Sequence, residues 1–333
     1  MSLGPHGPSL VTSNADSRRV LGDTEAFSFP VDVSRRAATG PQPPLPRLRP
    51  DQVAAGLATF EAQLAHATDA WDRGDVADAM QALRLPVARS TTEAVLGPLA
   101  TAQRDAVADL VLAWVDALGP VIAAARPPHR WSRTRRAERA ARTHLEDALR
   151  ALHVESPGTS AVELAAGVQV PVAAGAWLLV LLAEHPDADR SDPTAVAWEV
   201  LRLRPPTWVT ARMSTREVGL EHGTVPAHRV VLVSPLLLGQ DPAHVPPGTV
   251  DPAVFDPARW SGSAVRPGAW LPFGAGPHAC PGRSLGLAQL VALARWGAGR
   301  RIQVVEPVAI DQTRGIFPHP ARLTCAPIPL PQE

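Results

Sequence analysis

The sequence predicts a mainly α-helical protein with a small β region. Two observations carry that reading. Apolar residues recur at three- and four-residue spacing through most of positions 51–203, and alternation of apolar with polar residues is confined to a short stretch between 209 and 235. Proline pairs at 127–128 and 205–206 fall between helical runs, where residues that cannot continue a helix belong.

Residues 1–50 are rich in Pro, Gly and Ser and read as loop, with one short element at Asp16–Leu21. From Asp51 onward Val53, Leu57, Phe60 and Leu64 mark the inner side of a helix. A second covers about 103–118, with Val107, Leu110, Val111, Trp114, Val115 and Leu118 on one face. After Pro127-Pro128 comes a helix over Arg130–Arg150. Leu145, Leu149 and Leu152 mark its inner side, while Arg130, Arg133, Arg135, Arg136, Arg139 and Arg142, with Glu138 and Glu146, read as a solvated face.

Residues 161–184 are apolar on all sides, as the central helix of a large helical protein must be. The run is long enough to cross a bilayer, but Gln169 and Pro171 interrupt it, and it reads as a buried helix. A shorter helix at 193–203 stops at Pro205-Pro206. Val218 and Leu220 then alternate with Glu217, Gly219 and Glu221, Gly223 offers a turn, and Val230–Val233 returns, which predicts a small antiparallel sheet. Residues 240–270 read as Pro- and Asp-rich loop, Leu285–Trp296 as the last long helix, and 301–329 as short strands.

Composition narrows the function classes. The 32 basic residues, all arginine, balance 32 acidic ones, so no global charge favours nucleic acid or an anionic membrane. Two cysteines, Cys280 and Cys325, are too few for a disulfide framework and suit a reducing compartment. Met1–Leu10 lacks the basic and apolar blocks of a signal peptide, so the expected location is the cytoplasm. No histidine spacing of the zinc-binding kind is present. Cys325 reads as a buried filler.

The chemistry concentrates in Phe273-Gly274-Ala275-Gly276-Pro277-His278-Ala279-Cys280-Pro281-Gly282. A cysteine on a glycine-rich loop ahead of a helix has amides and a helix dipole to stabilise its thiolate. Gly276 and Gly282 let the backbone turn tightly or approach a flat ligand. Phe273 offers an aromatic wall, and His278 a polar group for an anionic edge. A lone Cys in such a turn is commonly inert, so the decision rests on the whole pattern. Phe273, Gly276, Cys280 and Gly282 fit F-x-x-G-x-x-x-C-x-G, and the chain resembles the bacterial cytochromes P450, whose cysteine is the proximal haem-iron ligand. Glu199 and Arg202, which by themselves make one more i,i+3 ion pair, match that family's E-x-x-R motif. Phe255-Asp256-Pro257-Ala258-Arg259-Trp260 resembles the later segment whose Arg259 would complete a buried structural triad.

The resemblance covers most of the chain and implies a P450-like fold in a single haem domain over 1–333. It would comprise an irregular, shortened N-terminal part at 1–50, a helical part at 51–204 containing the central helix 161–184, and sheets, meander loop, Cys loop and last helix at 205–333. It implies haem b (iron protoporphyrin IX) with Cys280 as axial ligand to the metal. Phe273, Gly276, His278, Gly282 and Arg212 would surround it, Arg212 and His278 meeting the propionates.

Two departures accompany these matches. Where the family's central helix carries Ala-Gly, an acid and Thr, this chain has Ala166-Gly167-Val168-Gln169-Val170, followed by Pro171. Gln169 is no useful proton donor, Val170 cannot hydrogen-bond, and Pro171 removes an N–H and should kink the helix. Gln169, Val170 and Pro171 would then form the distal wall of an atypical catalytic site. The second departure is Pro41–Pro50, too rich in proline to be the family's C helix, which helps dock the electron donor. The family's first helix also has no counterpart.

Three functions follow from the resemblance. One is a haem-thiolate monooxygenase of specialised metabolism, such as antibiotic biosynthesis, acting on a small hydrophobic substrate with a ferredoxin-type donor or peroxide. Another is a haem-thiolate isomerase, dehydratase or nitrene-type transferase that does not use dioxygen. The third is a P450-like auxiliary protein without catalytic haem that binds and activates a glycosyltransferase. The intact Cys280 loop favours haem binding.

Overall fold

In the computed structural model the described residues are 4, 7–30, 44–124, 126–245, 251–260, 270–311 and 315–328. The helices are α1 (Asn14–Gly22), α2 (Pro50–Ala67), α3 (Asp69–Asp72), α4 (Ala79–Ala82), α5 (Arg84–Leu96), α6 (Thr101–Ile122), α7 (Arg133–Ala151), α8 (Pro157–Glu184), α9 (Pro193–Leu203), α10 (Pro235–Gln240) and α11 (Arg283–Ala298). Short strands accompany them: β1 (Ser9–Val11), β2 (Phe27–Ser28), β3 (Ala77–Asp78), β4 (Thr210–Ser214), β5 (Val218–Leu220), β6 (Gly223–Val225), β7 (Val230–Val233), β8 (Arg300–Val304), β9 (Ala309–Asp311), β10 (Phe317–His319) and β11 (Arg322–Pro327). Helix predominates, as the apolar periodicity requires. The chain packs into two units, residues 1–47 with 198–281, and residues 48–197 with 282–333.

The first unit is built on a four-stranded sheet in the order β1-β7-β4-β2. Strand β1 runs parallel to β7, with Leu10 opposite Leu232, while β4 pairs antiparallel with both β7 and β2. Val11, Val20, Leu21, Phe27, Val231 and Val233 close its core. Ser13 caps α1 by accepting from the Asp16 amide at 3.1 Å. The expected alternation at 218–225 forms the β5–β6 hairpin.

The second unit is helical around α8, whose residues Val172–Leu182 are all buried. Among the described residues α8 is the helix long and apolar enough to cross a membrane, and 72% of its apolar stretch is buried within the fold. Arg190 donates to the Leu182 carbonyl at 2.6 Å, satisfying one of the orphaned acceptors at the α8 C-terminus. Helices α2 and α5 approach closely at Gly56, where a Cβ would lie 2.9 Å from the Ala94 side chain. Ser90 donates there to the Gly56 carbonyl at 2.7 Å and accepts from Gln289 of α11 at 2.9 Å.

Helix α5 is absent from the sequence expectation. Its run Ser90-Thr91-Thr92 consists of residues whose hydroxyls compete for backbone groups, which weakens the helical signal. All three are buried, and Thr92 bonds back to the Ala88 carbonyl at 2.9 Å, so packing overrides propensity. Helix α10 lies in a stretch adjoining the expected loop, and α8 begins at Pro157, four residues early. Glu138 departs from the solvated face assigned to α7. It is buried, accepting from the Trp114 indole at 3.1 Å with Arg135 at 3.8 Å. Of the proline run 41–50, Pro41, Gln42 and Pro43 lie outside the described residues, and Pro50 begins α2.

Candidate functional site

The Cys280 loop belongs to the first unit. It closes on itself through the Cys280 amide, which donates to the Phe273 carbonyl at 2.9 Å. Two left-handed glycines make the turn, Gly274 at φ +68° and Gly276 at φ +72°. At Gly276 the need for glycine is doubled, because a Cβ would sit 2.4 Å from the Leu21 carbonyl oxygen. Cys280 is exposed at the end of this turn and Cys325 is buried; neither is in a disulfide. Burial pushes the Cys325 thiol up to about 12. In folded protein free of any bound cofactor, a thiol reagent at pH 8 should therefore modify Cys280 and reach Cys325 only on unfolding, which peptide mapping of the labelled protein would check.

Beside the loop, the Arg212 guanidinium stacks over Phe29 at 4.2 Å from the ring centroid, and Phe29 meets the His278 ring edge-on at 4.8 Å. Arg212 is buried and donates to Thr210 Oγ1 at 3.3 Å and the Ala211 carbonyl at 2.9 Å. No carboxylate among the described residues pairs with it, and burial lowers its pKa. His278 is held below the ordinary imidazole value by burial first and by the Arg212 charge second. Two basic groups without an acid form a ready receptor for carboxylates.

Glu199, Arg202 and Arg259 come together in the first unit. Glu199 is fully buried and takes a bidentate pair from Arg202, Nη2 to Oε1 at 2.6 Å and Nε to Oε2 at 2.7 Å. Arg259 Nε stands 3.5 Å from Oε1. Sequence reasoning missed two further partners of this carboxylate, the Trp260 indole at 2.9 Å and the Asp256 amide at 3.0 Å. Arg202 also reaches the Gly239 and Pro252 carbonyls at 2.9 and 2.6 Å, so the triad ties α9 to the loops that precede the cysteine.

The family profile for cytochrome P450 matches residues 194–295, a span that holds both the Glu199–Arg202 pair and the Cys280 loop. Over that span the chain matches the cytochrome P450 family. A relative, cyclooctat-9-en-7-ol 5-monooxygenase of Streptomyces melanosporofaciens, is 33% identical over 163 residues, covering 41% of this chain and 35% of that one. The chain thus spans about a third of the length of the first curated relatives it matches. Among solved structures, the open cytochrome P450 Eryk from S. erythraea superposes with a TM-score of 0.73 at 21% identity, covering 99% of this chain and 93% of that one. Ligand-free cytochrome P450 TbtJ1 gives 0.74 at 23% identity, covering 95% and 91%. These likenesses establish the P450 fold, and the family implies a haem cofactor.

The residues that the resemblance sets at the acid and alcohol positions, Gln169 and Val170, lie with Pro171 on α8 in the second unit; Gly282, N-cap of α11, also falls there. Gln169 and Pro171 are half-buried and Val170 is exposed. Helix α8 runs on through Pro171. Proline removes the amide that would have bonded the Gly167 carbonyl, and Thr91 of α5 fills the vacancy, its hydroxyl donating to that carbonyl at 3.0 Å. A Cβ on residue 167 would come within 2.6 Å of the Thr91 methyl, so glycine is needed for this approach. Thr91 lies 76 positions from Gly167, beyond the reach of any local motif. Thr91→Val should cost about 1–3 kcal/mol by leaving the part-buried carbonyl unpaired, measured as a fall in the urea midpoint, and Thr91→Ser should recover most of it.

Proposed function

We propose that this protein is a haem-thiolate oxidoreductase that oxidises a small hydrophobic metabolite, with Cys280 as the axial ligand of haem b. The single observation that carries the reading is the loop itself. An exposed cysteine is presented by two left-handed glycines and a closing amide bond, beside Arg212 and His278, which lack any acid partner among the described residues. That donor set fits haem: a thiolate for iron, and two basic side chains for propionates. When bound, haem would supply the oxidising chemistry. Phe273 would pack against it, Gly276 and Gly282 would allow close backbone approach, and Arg212 and His278 would fix its orientation.

Gln169, Val170 and Pro171 would form the distal wall. Neither Gln169 nor Val170 can release a proton at neutral pH, so the atypical chemistry we propose needs protons from water or substrate, or an oxidant such as peroxide that brings its own. The related cyclooctat-9-en-7-ol 5-monooxygenase acts, by its name, on a cyclic hydrophobic alcohol, which supports an apolar cyclic substrate of bacterial specialised metabolism. A cytoplasmic location and a ferredoxin-type donor accompany this reading. The isomerase, dehydratase and nitrene-transfer reading shares the haem site. The haem-free glycosyltransferase-activating reading does not, and the geometry of the Cys280 loop counts against it.

Pyridine haemochrome analysis of protein from haem-supplemented cells should give one haem b per chain. Cyclic apolar alcohols should then shift the Soret band and be oxidised with peroxide or with a surrogate ferredoxin system. Well-folded protein without haem would overturn the proposal and leave the glycosyltransferase reading.

A further inference from the structure

Three indole rings of the first unit form a continuous series that begins at the Cys280 loop. Phe273, whose carbonyl accepts the Cys280 amide, lies 5.9 Å from Trp270, centroid to centroid. Trp270 is 6.2 Å from Trp198, and its indole N–H donates to the Trp198 carbonyl at 3.1 Å. Trp198 meets Trp260 edge-on at 5.4 Å. The series ends on the fully buried Glu199, which accepts the Trp260 indole N–H at 2.9 Å.

Packing accounts for aromatic contacts in general. Here the composition adds a chemical consequence. Indole and phenol are the side chains most readily oxidised by one electron short of thiols, and this chain has nine Trp and no Tyr. Within this series the indoles are the readily oxidised rings, and they are in mutual contact beyond Phe273. The carboxylate hydrogen bond stabilises positive charge on Trp260, although Arg202 and Arg259 beside Glu199 oppose it.

We propose that Trp270, Trp198 and Trp260 act as an oxidation relay that draws one-electron oxidising equivalents away from the Cys280 loop. The inference rests on the haem-thiolate reading. Haem held by Cys280 would supply the oxidising chemistry with hydrogen peroxide as oxidant. Peroxide, two electrons and two protons give two waters; added ascorbate is the final source of the electrons and protons, and an electron is drawn from an indole of the series. The indole keeps its Nε1 proton as a cation radical, and ascorbate returns the lost electron. With Gln169 and Val170 unable to supply protons, reactions that stall after oxidation are the ones such a relay serves.

The test is freeze-quenched electron paramagnetic resonance of the holoprotein mixed with hydrogen peroxide, with deuterated tryptophan to assign the radical. Wild-type protein should show a tryptophan radical whose hyperfine structure collapses on deuteration. Trp270→Phe and Trp198→Phe, which keep an aromatic ring in place, should each lose most of that signal and bleach their Soret band faster, while Trp131→Phe at the exposed surface should match wild type. An intact Soret band with no tryptophan radical, or a radical undiminished in Trp270→Phe/Trp198→Phe, would overturn the relay alone. Absence of a Soret band from wild-type protein would overturn the haem reading and the relay with it.

Discussion

Glu199→Gln is expected to destabilise the protein by about 3–5 kcal/mol, read as a large fall in the urea midpoint of the first unit. The substitution preserves shape and exchanges a charged acceptor for a neutral amide, so its effect isolates charge and hydrogen bonding from packing. Glu199 has no exposure, and its two oxygens serve Arg202, Arg259, the Trp260 indole and the Asp256 amide. Glutamine leaves Arg202 facing a neutral amide, one of whose positions is now a donor. Two buried guanidiniums then lack their counter-charge, a far larger penalty than the loss of an exposed ion pair such as Arg49–Asp51. Arg202→Lys should recover little, since lysine cannot reproduce the bidentate contact or reach the Gly239 and Pro252 carbonyls together. A midpoint unchanged in Glu199→Gln would mean that the triad does not hold these loops.

Gly276→Ala should cost about 2–5 kcal/mol, the sum of roughly 1–2 kcal/mol for a left-handed alanine and roughly 1–3 kcal/mol for overpacking. Its Cβ would meet backbone on one side only, the Leu21 carbonyl at 2.4 Å and the Gly22 Cα at 2.8 Å, which a rotamer change cannot relieve. Either α1 or the loop must move. Gly274→Ala separates the two contributions, because its φ is also left-handed, +68°, yet no atom lies within 4 Å of its added Cβ. It should show the conformational penalty without the clash. Denaturation midpoints for the pair would check this, and equal losses would contradict the contact assigned to Leu21.

What could be read from the sequence was local in the chain. The Cys280 loop spells out its own turn, and Glu199 and Arg202 stand one helical turn apart, so spacing alone brings them together. The apolar period likewise predicted α2, α6 and α7, because each buries a stripe that repeats within a few residues, and the long apolar run predicted α8. What escaped has its causes at a distance in sequence. Helix α5 carries hydroxyls of which two, Ser90 and Thr91, bond to carbonyls of other helices. Thr91 repairs a carbonyl orphaned by Pro171, and nothing near either residue announces the pairing. Glu138 looks like one more charge on an arginine-rich helix until the Trp114 indole of α6 arrives to bond it. Phe29 and the indole series of Trp198, Trp260 and Trp270 were unmarked for the same reason.

The proposed role of Cys280 is the central claim, and the carbon monoxide difference spectrum of the reduced holoprotein tests it most directly. A Soret band displaced to the red in the manner of a thiolate ligand is expected from wild-type protein and should disappear in Cys280→Ala, whereas Cys325→Ala should retain it. A thiolate-type band that survives in Cys280→Ala, or a wild-type spectrum that never shows one, would contradict the account.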